Sequence, residues 1–126
     1  MKELKSGAVR LAQGAGVPII PVALWGSHRI LTKAHKPNLK RKKIPVFIAY
    51  GEPYYVSKDA DVLHEEEILR QKISQLLHLT QENYPDSPVG KWWGPKRLGG
   101  LAPTIEEAAI ANERRKAEKA AKKEKK

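Results

Sequence analysis

Two prolines inside one apolar run constrain this chain more than any other feature. The run is "GVPIIPVALWG", residues 16–26, and the prolines are Pro18 and Pro21. Proline has no amide proton to give to a ladder, so Pro18 fits the first position of a strand and Pro21 fits a bulge or an edge. Around them, Val17, Ile19, Ile20, Val22, Ala23, Leu24 and Trp25 are nearly continuously apolar, as expected of a strand covered on both faces. Just before the run, Leu4, Ala8, Leu11, Ala12 and Ala15 recur at helical spacing and Gly16 follows as a stop. The spacing predicts a short amphipathic helix, in which Gly7 and Gly14 would each cost about 1 kcal/mol relative to alanine. A helix leading into such a strand is one step of an α/β sheet.

The pattern breaks after Gly26. Residues 27–43 hold seven cations (Arg29, Lys33, Lys36, Lys40, Arg41, Lys42 and Lys43) and no acid, so they read as a basic loop with room for one helical turn. A second strand is predicted from Pro45 to Tyr50, closed by the turn signal at Gly51 to Pro53. Between Asp59 and Tyr84, Val62, Leu69, Ile73, Leu76 and Leu77 form the apolar stripe of a second helix. Glu65, Glu66 and Glu67 stand near its N-terminus, where negative charge is favoured.

Beyond Pro85 the composition changes. Residues 85–103 are rich in Pro, Gly and Trp and read as an irregular linker. In the tail, residues 104–126, Thr104 and Glu107 offer a capping box to a helix with little apolar face. Such a tail is expected to be helical or disordered, since marginal helices need packing to persist. The expected organisation is therefore an α/β partial sheet with flanking helices over residues 1–84, then the linker, then the charged tail.

The 126 residues carry 24 Lys and Arg against 14 Asp and Glu, a net charge of +10. That balance points to an anionic partner: nucleic acid, a lipid headgroup surface or a phosphorylated substrate. The chain has no cysteine, which excludes disulfides, thiolate catalysis and cysteine metal sites. No apolar run approaches the ~20 residues that span a bilayer, and the expectation is a soluble or peripheral chain.

The order of helix, "GVPIIPVALWG", basic loop, "VFIAYGEPY" and helix resembles the C-terminal half of the 1-acyl-glycerol-3-phosphate acyltransferase family. The carriers of the resemblance are Lys5, Gly7 and Ala12, matching a Lys-x-Gly-x-x-x-x-Ala segment; Val17 to Val22, matching a Val-Pro-Ile-x-Pro-Val block; and Gly51 to Pro53, matching Gly-x-Pro after a later strand. The match spans about residues 4–84, with the paired-proline block as its most specific element.

The resemblance implies phospholipid biosynthesis: transfer of a fatty acyl group from acyl-CoA or acyl-carrier protein, as co-substrate, to lysophosphatidate. It implies no metal and no other cofactor, and a peripheral position at the cytoplasmic face of an anionic membrane. In that family a His, with an Asp five positions on, acts as general base on the glycerol hydroxyl. Five positions after His28, His35, His64 and His78 stand Lys33, Lys40, Leu69 and Asn83, and none is an acid. The family's Phe-Pro-Glu-Gly-Thr-Arg signature, which lies just upstream of the Lys5 segment, is also absent. The chain is thus expected to be an N-terminally incomplete acyltransferase, inert alone, with no catalytic residue of its own. Lys5 is the candidate substrate-binding residue, an ammonium for the acceptor's phosphate, against the plainer reading of a solvated lysine.

Three further expectations come from the residues. The basic loop would face anionic lipid or a phosphorylated carrier, each cation contributing on the order of 1 kcal/mol near an anionic leaflet. His28 and His35 read as loop histidines. Trp92 and Trp93, beside Lys91, Lys96 and Arg97, suit an interfacial anchor or a cover for an exposed sheet edge. The rival functions are a small nucleic-acid-binding protein, disfavoured because aromatics are not interleaved with the basic runs, and a non-catalytic lipid-surface adaptor.

Overall fold

A computed structural model describes residues 4–32, 35–40 and 43–124. They divide into two compact units, Met1–Asp86 and Ser87–Lys126.

The first unit is a small α/β arrangement: helix α1 (Gly7–Ala15), strand β1 (Val22–Trp25), strand β2 (Phe47–Tyr50) and helix α2 (Val62–Glu82). Gly16 ends α1 in the left-handed conformation (φ 67°), and its amide donates to the Ala12 carbonyl. Gly7 lies at the first helical position, so it avoids the interior penalty. The buried side of α1 is Val9 and Ala12, whereas Ala8, Leu11 and Ala15 face solvent. The predicted stripe was therefore rotated: leucine at 11 suggested burial, but the neighbouring Val9 takes the contact.

Asp61 caps α2, its carboxylate accepting from the His64 amide at 3.2 Å. Leu69 is buried, and Val62, Ile73, Leu76 and Leu77 are half-buried, so this stripe is as expected. The core joins Val9 and Ala12 of α1, Leu69 of α2, Ile19 and Val56, with Leu4, Tyr54, Ala60, Val62 and Ile73 packed against it. Gln13 fastens α1 to the turn before α2 by donating to the carbonyls of Ser57 (2.9 Å), Lys58 (3.1 Å) and Ala60 (2.9 Å).

The two strands are antiparallel, with Val22 opposite Tyr50, Ala23 opposite Ala49, Leu24 opposite Ile48 and Trp25 opposite Phe47. α2 packs on both strands and α1 packs on α2. Ala23 is buried, but Val22 and Leu24 are exposed. The expectation of a strand covered on both faces is thus corrected: among the described residues one face of the sheet is covered and the other is open.

The prolines now find their places. Pro18 is exposed and outside the strand, and Pro21 is buried immediately before β1. Between them, Ile19 makes an isolated bridge to Tyr54, with amide-to-carbonyl bonds of 2.8 and 3.0 Å in the two directions. From Val22 back to Ile19 is three steps, whereas from Tyr50 on to Tyr54 is four. The extra residue is accommodated in the Gly51–Pro53 turn, so the ladder bulges there and not at Pro21 itself. The Pro21 carbonyl still accepts, from the Gly51 amide at 2.8 Å.

In the second unit, residues 87–103, most of the expected linker, proved more ordered than a linker. Bonds from Gly90 to Gly99 (2.9 Å), from Leu101 to Lys91 (2.8 Å) and from Ala102 to Gly94 (2.9 Å) tie its backbone together. Helix α3 (Ile105–Glu124) follows. Its capping box is formed: Thr104 donates its amide to the Glu107 carboxylate at 2.8 Å, and the Glu107 amide reaches the Thr104 hydroxyl at 3.3 Å. Lys96–Glu107, Arg114–Glu118 and Lys116–Glu113 ion pairs decorate a mostly exposed helix.

Candidate functional site

The paired-proline block and the Gly-x-Pro turn meet in space. The Ile19–Tyr54 bridge and the Pro21–Gly51 bond lay the paired-proline block directly against the Gly-x-Pro turn. A Cβ on Gly51 would crowd the Pro21 ring at 3.3 Å, so the turn passes close over that proline. Next to them, Lys72 Nζ lies 4.9 Å from the centre of the Tyr54 ring. Tyr54 Oη is buried with no hydrogen-bond partner among the described residues. Burial, with Glu65 adding to it, raises the Tyr54 phenol above its ordinary value.

A second cluster closes the base of the basic loop. Gly26 ends β1 at φ 103°, and a single 3-10 turn (Ser27–Arg29) follows. From that turn Arg29 donates to the Tyr84 hydroxyl at 2.8 Å and to the Asp86 carboxylate at 2.5 Å. The Tyr84 hydroxyl in turn donates to the Pro45 carbonyl at 2.6 Å. The loop's entrance, its exit and the end of α2 are therefore bound at one point. One of the seven cations is thereby committed to structure, which the run itself did not foretell. The acid that pairs with Arg29 stands 57 residues on, and no local signal marks it.

Of the other loop cations, Lys36, Lys40 and Lys43 are exposed. Lys33, Arg41 and Lys42 lie outside the described residues. The ring of His28 tilts at 58° against Trp25, centroids 4.4 Å apart. His35, His64 and His78 are all exposed. Trp93 is buried and Trp92 exposed, so the pair does not stand out together as an interfacial anchor: the cross-bonded backbone of residues 88–102 turns one indole inward.

Lys5 is exposed, just ahead of α1. Its neighbour Leu4 lines an open depression of about 260 Å³ with Leu63, Glu66, Glu67 and Arg70. The Arg70 guanidinium is engaged by Glu67 through two hydrogen bonds, at 2.7 and 2.6 Å. Together with a bond from Gln71, this holds the Glu67 carboxyl down at about 2, from an ordinary 4.5. Because the folded state favours the carboxylate, the pair's stabilisation is present above the unfolded value and is lost as pH falls through about 2. NMR titration of the Glu67 side chain is expected to show that low midpoint, and Arg70→Ala to return it toward 4.5. An unchanged midpoint in the variant would remove Arg70 as the cause.

Comparison of the chain with protein-family models, with curated proteins and with solved structures gives no significant match.

Proposed function

We propose that these residues form the acceptor-side, membrane-facing part of a glycerolipid acyltransferase that moves a fatty acyl group from acyl-CoA or acyl-carrier protein to 1-acyl-glycerol-3-phosphate. The reading rests on the resemblance, and one observation supports it. The paired-proline block and the Gly-x-Pro turn, 30 residues apart in sequence, are joined through the Ile19–Tyr54 and Pro21–Gly51 bonds. Motifs that belong to one site should meet, and these do. Within the reading, Lys5 supplies a point charge for the acceptor's phosphate. The histidine that would act as base, and its aspartate, are not among these 126 residues.

The experiment is to read the coding sequence in frame upstream of Met1 and express whatever it encodes with this chain. The expected result is a His-x-x-x-x-Asp and a Phe-Pro-Glu-Gly motif, and acyl transfer to lysophosphatidate by the extended protein. In that protein Lys5→Ala is expected to raise KM for lysophosphatidate with little change in kcat. A frame without either motif overturns the assignment.

A further inference from the structure

Helix α3 neutralises some of its cations and leaves others bare. Arg114 donates to Glu118 at 3.1 Å, and Lys116 donates to Glu113 at 2.8 Å. Arg115, Lys119 and Lys122 are exposed and have no ion pair among the described residues. Glu118, one turn before Lys122, is the carboxylate already engaged by Arg114. At about 100° per residue, a helix places positions 115, 119 and 122 within an arc of about 60°, along about 10 Å of its axis. The bare cations therefore form one stripe.

Packing within the second unit does not use this stripe. From Ile105 to Lys122 only Ala108 and Asn112 are half-buried, and every other residue is exposed. The composition of the helix also narrows what the stripe could meet. α3 has no aromatic residue, and its large apolar side chains are Ile105 and Ile110 alone. It thus lacks the apolar face with which a helix enters a bilayer. It also lacks the aromatic anchor that centres a protein interface, and the platforms on which single-stranded bases stack. What remains is recognition by charge alone, a row of cations against a row of anions. Duplex nucleic acid presents one charge per about 1.7 Å of its axis, so about six lie alongside a stripe of this length.

We propose that the stripe formed by Arg115, Lys119 and Lys122 on α3 binds the phosphate backbone of duplex nucleic acid. Aromatics interleaved with the basic runs, which the chain lacks, are a requirement of single strands, and a duplex needs none. The site stands apart from the acyltransferase reading, which draws on residues 4–84.

The test is titration of the full chain into a labelled DNA duplex of about 20 base pairs, followed by fluorescence anisotropy at salt from about 50 to 200 mM. Arg115→Gln with Lys119→Gln removes two cations and keeps good helix formers. It is expected to make the slope of log K on log salt shallower by about 1.8. Across that fourfold range of salt the parent then loses about tenfold more affinity than the variant. Arg10→Gln with Lys58→Gln, at exposed positions of the first unit, lowers the net charge of +10 by the same two and is expected to leave the slope unchanged. A single strand of equal length is expected to bind more weakly than the duplex. Far-UV circular dichroism of both variants should match the parent, so that unfolding does not enter the comparison.

Equal changes of slope in the two variants would assign the attraction to net charge and overturn the proposal. A stripe variant with the parent's slope, or a single strand that binds as tightly as the duplex, would also overturn it. So would a stripe variant that loses binding to phosphatidylserine vesicles or to polyglutamate while its duplex binding is kept, in favour of a membrane or an acidic protein. The upstream frame can carry or lack the acyltransferase motifs without touching any of these outcomes, so the two readings fall separately.

Discussion

Gly26→Ala is expected to cost about 3 kcal/mol or more, a large share of the first unit's stability. Two independent reasons add. Gly26 holds φ 103°, outside the region that residues with a Cβ adopt readily. A Cβ there would also stand 2.3 Å from the Pro45 carbonyl oxygen and 2.8 Å from the Tyr84 hydroxyl. Neither neighbour can withdraw without loss. The Tyr84 hydroxyl is the link between Arg29 and the Pro45 carbonyl, and leaving either group buried and unpaired costs about 1–3 kcal/mol more. Gly14→Ala is the control. It lies inside α1 with open space where a Cβ would go, so it should stabilise by up to about 1 kcal/mol. Urea unfolding followed by far-UV circular dichroism measures both. If Gly26→Ala unfolds within about 1 kcal/mol of the parent, the closure of the basic loop is looser than its hydrogen bonds imply.

That closure also marks where sequence reasoning stops. Short-range signals were readable because they act locally: Gly16 as a stop, and Thr104 with Glu107 as a reciprocal box, depend on residues within a turn of one another. The stripe of α2 was readable because its period sums over 21 residues. The stripe of α1 was not. Nine residues, seven of them small or apolar, fit two phases almost equally, and the choice of Val9 over Leu11 was made by the partners across the core. Similarly, the apolar run around Pro18 and Pro21 announced a strand but could not say that only one of its faces would be covered. Continuous apolarity describes what a strand could bury, while burial depends on what else is present.

The glycines after Pro85 were legible as punctuation and no further. Gly94 and Gly100 are needed because backbones cross there: a Cβ on Gly100 would stand 2.1 Å from the Gly94 carbonyl, and one on Gly94 would stand 2.4 Å from that of Pro88. A run rich in Gly and Pro reads as a linker whether it is extended or tightly cross-bonded, because both uses favour the same residues. The candidate site shows the same division. Its motifs could be found by spacing, but the partners Tyr84, Pro45 and Asp86 came from elsewhere in the chain and carried no local mark.

Leu69→Ala is expected to destabilise the first unit by about 3 kcal/mol. Leu69 is buried at the meeting of α2 with Val9 and Ala12 of α1 and with Ile19 and Val56, so truncation leaves a cavity that no single neighbour can fill. The effect is large relative to the whole because the core is small. Among the described residues the buried cluster around Leu69 has five members, and a unit of this size carries net stability of only about 5 kcal/mol. Leu63→Ala, on the same helix but 72% exposed, should change stability by no more than about 0.5 kcal/mol. The two substitutions delete the same atoms and lower helix propensity in the same direction, so the difference between them isolates packing. Denaturant midpoints measure it, with an unchanged slope showing that the same surface is exposed on unfolding. Equal midpoints for the two variants would mean that the contact of α1 with α2, which holds the paired-proline block in place through Ile19, contributes far less than its burial indicates. The meeting of that block with the Gly-x-Pro turn would then have to be held by the strand hydrogen bonds alone, and an isolated two-stranded hairpin is at best marginally stable in water.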